Sequence, residues 1–72
     1  MDIKEKIELL EDMLELEAGT LKPEMELSAI DEYDSMAKLS LIVLFDEECG
    51  KKLTGEELRT FKTVGDILAA MD

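Results

Sequence analysis

Only three aromatic residues, Tyr33, Phe45 and Phe61, are available to fill an interior. The core must therefore be built from leucine, isoleucine, valine and methionine, side chains that suit packed helices. The spacing agrees. Ile3, Ile7, Leu10 and Leu14 recur at helical intervals, widened by Leu9, Met13 and Leu16, and predict a helix over 2–17. Asp2 with Glu5 resembles a capping box at its start, and Gly19 is a plausible stop. Lys4, Glu8, Glu11, Asp12 and Glu15 fall on the polar remainder of that helix. The glutamates near its end oppose the helix dipole and weaken the last turn.

Residues 18–33 read as a long loop, because Pro23 cannot sit inside a helix and biases Lys22 toward extended backbone. A loop of this length has to be tied down. Leu21, Met25, Leu27 and Ile30 are the expected tethers, with a short helical turn near Pro23 to Met25. A second helix is predicted over 35–49, capped by Asp34 and ended by Gly50. Leu39, Ile42, Phe45 and Cys49, with Leu41, are its expected buried face, and Met36 and Val43 fall to one side. Thr54-Gly55-Glu56-Glu57 matches a capping box for a short helix to about Arg59, with Leu58 inward. Thr63 caps a last helix with Val64, Ile67, Leu68 and Met71 facing in. The expected fold is all-α: a single domain over 1–72, a small four-helix bundle of three main helices and one short one.

Charge narrows the function. Nineteen acids against eight bases give −11, which argues against nucleic acid and against an anionic membrane surface. It favours basic protein partners. The longest uninterrupted apolar run is Leu41 to Phe45, too short to insert into a membrane. A single cysteine, Cys49, forms no internal disulfide, so a reducing cytoplasm is the expected location. The chain is expected to act as a monomer.

Chemistry of its own is hard to assemble. There is no histidine, so neither a Ser-His nor a Cys-His pair can form. Cys49 reads as a small apolar residue, and one thiol without imidazole disfavours zinc. Asp31-Glu32-Tyr33-Asp34 lacks the alternating ligands and central glycine of a calcium loop, since Met36 stands at that place. What remains is Ser35, in the first turn of the most apolar helix, just after its cap. A serine that cannot activate itself is either a helix-start residue or a substrate for another enzyme.

The whole arrangement resembles the acyl carrier protein family. The resemblance covers nearly the full chain: the first amphipathic helix, the long loop, Asp34-Ser35-Met36, Phe45-Asp46-Glu47-Glu48, and Phe61-Lys62-Thr63-Val64-Gly65-Asp66-Ile67. It implies a carrier rather than an enzyme. Ser35 would receive 4′-phosphopantetheine from coenzyme A through a phosphopantetheinyl transferase and Mg²⁺, with Asp34 helping to place the metal. Acyl or related groups would then ride as thioesters on the arm, for fatty-acid-like, polyketide or other specialised biosynthesis. Acyl- or aminoacyl-loading and processing enzymes would dock on Met36 and Val43, guided by Asp46 and Glu47. Met36 replaces the family's usual leucine, and Glu32-Tyr33 its usual small residues. Ala37, Lys38 and Ser40 stand where fatty-acid carriers bear acids. These departures imply a specialised rather than a housekeeping member. The rival expectation is an unmodified acidic helical domain that binds a basic partner.

Overall fold

The computed structural model describes residues 2–71. It contains four α-helices: α1 (Ile3–Leu14), α2 (Ser35–Leu44), α3 (Gly55–Thr60) and α4 (Val64–Ala70). A 3₁₀ turn, Leu27–Ala29, interrupts the long loop, and a π turn, Phe45–Cys49, extends α2. Among the described residues there is no strand, only an isolated antiparallel bridge between Glu26 and Thr63. The all-α bundle expected from the apolar spacing is the fold observed. α4, at seven residues, is only one longer than the six-residue α3.

Each helix starts where its capping residue dictates. The side chains of Asp2, Asp34, Thr54 and Thr63 accept the backbone N–H of Glu5, Ala37, Glu57 and Asp66 respectively. At Thr63 the box is reciprocal, because Asp66 Oδ2 accepts the Thr63 N–H at 3.0 Å.

Helix ends differ more from expectation. α1 stops at Leu14, with Glu15 in the left-handed region at φ 59°. Leu16 N–H bonds back to Glu11 O at 2.8 Å, and Glu15 N–H to Asp12 O at 3.2 Å. That pair of bonds is a Schellman closure, and Leu16 packs against the core beyond it. Repulsion between the terminal glutamates and the dipole therefore ends the helix early. α2 leaves α-helical hydrogen bonding after Leu44, where Asp46, Glu47 and Glu48 crowd negative charge onto a helix C-terminus. The π turn carries the chain to Gly50, whose φ of 64° closes the segment where expected.

The core is Leu10, Leu14, Leu21, Leu27, Ile30, Ala37, Leu41, Phe45, Leu53, Val64, Ile67, Leu68 and Met71. Phe45 and Phe61 meet in a tilted pair 6.4 Å apart. Two expectations about helix faces need correction. On α2 and the π turn the buried positions are Ala37, Leu41 and Phe45, whereas Leu39 is 60 % exposed and Cys49 is only half-buried. Apolar residues surround almost all of α2, so spacing alone admits several buried stripes. The fit against α1 selects this one. On α1 Ile3 is exposed and Lys6 is buried in its place beside Leu10 and Leu14.

Glu11, assigned to the polar side, is also buried, at 3 % exposure. Its carboxylate accepts the backbone N–H of Leu21 at 3.0 Å and so fastens the start of the loop to α1. The loop has other anchors at its far end. Leu27 N–H donates to Lys62 O at 2.8 Å, Val64 N–H to Met25 O at 2.9 Å, and Gly65 N–H to Pro23 O at 2.8 Å. A Cβ on Gly65 would lie 3.1 Å from that same Pro23 oxygen, so the approach uses glycine's missing side chain. Leu21, Met25, Leu27 and Ile30 all pack into or against the core, as the tethers should. The helical turn lies at Leu27–Ala29 rather than near Pro23 to Met25, which instead form a tight turn closed by Met25 N–H to Lys22 O.

α4 has no basic residue in its own last turn. Two lysines from elsewhere supply its terminal carbonyls. Lys6 Nζ donates to Leu68 O at 3.4 Å and Lys51 Nζ to Ala70 O at 3.0 Å. Both cations also meet the negative end of the helix dipole.

Glu11 supports a first prediction. Glu11→Ala leaves a buried N–H on Leu21 without an acceptor, which costs about 1–3 kcal/mol. Glu11→Gln retains a carbonyl oxygen and should lose less. Urea denaturation of the two variants measures this, and equal losses would mean that Glu11 matters for packing and not for the Leu21 amide.

Candidate functional site

Asp34 builds the site. Its extended backbone turns the chain into α2, and its Oδ1 accepts the Ala37 N–H at 2.9 Å. Its main-chain oxygen accepts the Lys38 N–H at 3.0 Å, the first turn of the helix. Ser35 is thereby fixed as the first residue of α2, with its side chain exposed. At this open end no preceding turn exists to accept the N–H groups of Ser35 and Met36. They and the dipole favour an anionic group beside the hydroxyl.

Exposure alone does not single out Ser35, because Ser28 and Ser40 are exposed too. Position does. Ser28 lies within the 3₁₀ turn and Ser40 in the middle of α2, so neither stands at the mouth of a helix.

Beyond Ser35, Met36, Leu39 and Val43 form one apolar stripe down the outer face of α2, exposed by 72 %, 60 % and 53 %. Spacings of three and four place them on one side. Met36 and Val43 were expected there, and Leu39 joins them because the helix turns Leu41 inward instead. Asp46 and Glu47 are exposed on the π turn that continues this helix. The structure thus brings Asp34, Ser35, Met36, Val43, Asp46 and Glu47 onto one continuous helical element. Among the described residues, no group of three or more histidine, cysteine, aspartate or glutamate side chains gathers into a metal site. Nor is any described helix long and apolar enough to cross a membrane.

A second feature adjoins the first. An open groove of about 430 Å³ lies between the loop, α2 and α3. Tyr33, Lys38, Leu58, Arg59, Phe61 and Lys62 line much of it. Lys38 Nζ sits over the Tyr33 ring, 5.8 Å from its centroid. The Tyr33 hydroxyl is closed off from water and has no hydrogen-bond partner. Sequence reasoning missed this groove, because Lys38 is far in the chain from Arg59 and Lys62 and meets them only after folding. Lys62 has one acid close by outside the groove. Its backbone N–H, followed by that of Thr63, holds the Asp66 carboxyl below its ordinary 3.8, and the Lys62 charge adds to this.

Burial pushes the Tyr33 hydroxyl above its ordinary 10.0. The fold thus disfavours tyrosinate. This share of stability is whole below about pH 10 and is lost as pH rises through the higher folded value. Tyr33→Phe removes an unpartnered buried hydroxyl, so at neutral pH it should leave stability unchanged or raise it by up to about 1 kcal/mol. It should also flatten the alkaline decline. Thermal melts of both proteins at neutral pH and above pH 10 check this, and a clear loss at neutral pH would show that the hydroxyl has a partner.

No family model matches the chain, and comparisons with curated proteins and with solved structures find no significant match.

Proposed function

We propose that this protein is a carrier, modified on Ser35 by 4′-phosphopantetheine, which holds acyl or related intermediates as thioesters. The observation that carries the reading is the setting of Ser35. It is an exposed hydroxyl at the mouth of a ten-residue helix, fixed by Asp34 and without any histidine to make it a nucleophile. A phosphodiester on that oxygen would lie at the positive end of α2, where backbone N–H groups are open to it. The transferase supplies base and Mg²⁺. Asp34, next to the acceptor hydroxyl, is the carboxylate suited to help place that metal. The arm, once attached, supplies the reactive thiol that the chain itself does not offer at this site.

The apolar stripe of Met36, Leu39 and Val43 serves in this reading as the contact for enzymes that load and process the cargo. Asp46 and Glu47 guide a basic partner toward it. The reaction that tests the proposal is incubation of the apo protein with coenzyme A, Mg²⁺ and a broad-specificity phosphopantetheinyl transferase. Intact mass should rise by one phosphopantetheine. An unchanged mass would favour the rival, an unmodified acidic domain for a basic partner.

Exposed acids act mainly on the rate of encounter, and salt screens them. Reversing Asp46 and Glu47 to lysine should slow modification by roughly ten-fold at low salt and flatten its salt dependence. The helical spectrum should stay the same. An unaltered rate across salt concentrations would remove these two residues from the docking surface.

A further inference from the structure

The groove beside Ser35 has a charge opposite to that of the molecule. Three of the chain's eight bases line it, Lys38, Arg59 and Lys62, but among the described residues only one acid does, Glu26. A net positive concavity on a chain of −11 is not what an evenly scattered surface would produce. Two further observations belong to the same place. Leu27, Ile30, Leu58 and Phe61 give the groove an apolar floor, and Tyr33, which also lines it, has a hydroxyl buried behind the wall with no hydrogen-bond partner. Size also fits, since about 430 Å³ is within the usual range for small-molecule sites. Two of its lining residues flank Ser35 in the chain. Tyr33 is two positions before Ser35, and Lys38 stands one helical turn beyond it.

We propose that this groove receives the acidic end of the cargo: a short acyl group, thioester-linked through one end and bearing a carboxylate at the other. This inference rests on the carrier reading and narrows its substrate class. The apolar floor takes the methylenes. Arg59 and Lys62 face the carboxylate from the α3 side and Lys38 from α2, while Tyr33 donates to the cargo once the groove opens enough to admit it. Glu26 opposes an anion, and Asp66 takes part of the Lys62 charge from outside. Arg59, with a planar fork of donors, is therefore the principal specificity determinant.

The chain has one tyrosine and no tryptophan, so its intrinsic fluorescence reports on Tyr33 alone. The apo protein would be loaded by a broad-specificity transferase with coenzyme A, butyryl-coenzyme A or succinyl-coenzyme A. Butyryl and succinyl share a carbon skeleton and differ in the distal carboxylate. The succinyl form should shift Tyr33 fluorescence and the side-chain NMR signals of Arg59 and Lys62. Butyryl and bare holo forms should shift them little. In Arg59→Ala with Lys62→Ala, loading should persist while the succinyl-specific shift is lost. Tyr33→Phe should weaken the Arg59 shift without unfolding the protein. Equal shifts for succinyl and butyryl, or no shift in either, would overturn the inference and leave the carrier reading intact. A full shift already present in the bare holo form would also overturn it, by assigning the groove to the phosphodiester of the arm. Failure of any form to load would instead sink the carrier reading.

Discussion

Ser35→Ala is expected to take up no phosphopantetheine under conditions that fully modify the wild type, while keeping its helical spectrum. Modification needs a hydroxyl that an enzyme can reach and a helix mouth that stabilises the incoming phosphate. Three serines are exposed, but only Ser35 stands at such a mouth. Removing one exposed oxygen should cost the fold little, because Asp34 provides the cap. Asp34→Ala is the informative companion. It should cost about 1 kcal/mol through loss of the cap, and it should slow modification without moving it elsewhere. Mass spectrometry with peptide mapping reads both. Phosphopantetheine on Ser28 or Ser40 in the Ser35→Ala protein would place the site wrongly.

The second large effect is structural. Leu41→Ala should destabilise the domain by about 2–5 kcal/mol, the range for deleting a fully buried leucine. A chain of this length has roughly 4–11 kcal/mol to lose, so much of its stability goes with one side chain. Leu39→Ala, two residues away, should change stability by less than about 0.5 kcal/mol, because it is a surface substitution on a 60 % exposed side chain. Urea midpoints of the pair measure the rotation of α2 directly. Similar losses for both would mean that the helix is turned differently in solution.

That pair also shows where the sequence stops being legible. Helix starts could be read from Asp2, Asp34, Thr54 and Thr63, because capping chemistry is local and involves residues three apart. The loop tethers could be read as well, since apolar residues within a polar loop have few other uses. The orientation of α2 could not. Leu39, Leu41, Ile42, Val43 and Leu44 offer apolar surface in most directions, and only the packed partner decides among them. Lys6 and Glu11 were illegible for a related reason. Their burial depends on an acceptor at Leu68 and a donor at Leu21, separated from them by 62 and 10 residues. At the site, Ser35 and its cap could be read because they are adjacent in the chain. Tyr33, Arg59 and Lys62 could not, because they converge through tertiary structure.

The backbone bonds between 23–27 and 62–65 have a consequence for how this molecule moves. They rivet the loop to the start of α4, so the amides of Leu27, Val64 and Gly65 should exchange with deuterium as one cooperative group. α3 sits between Leu53, buried in the core, and Lys62, bonded to Leu27, yet none of its own residues is fully buried. Leu58 and, just past the helix, Phe61 still pack against the core, so α3 is tethered but thinly, and its amides should exchange faster than those of the riveted frame. The wall that bears Arg59 should therefore be the softest part of the fold, and in the carrier reading the opening of this one short helix would set how long a carried group stays.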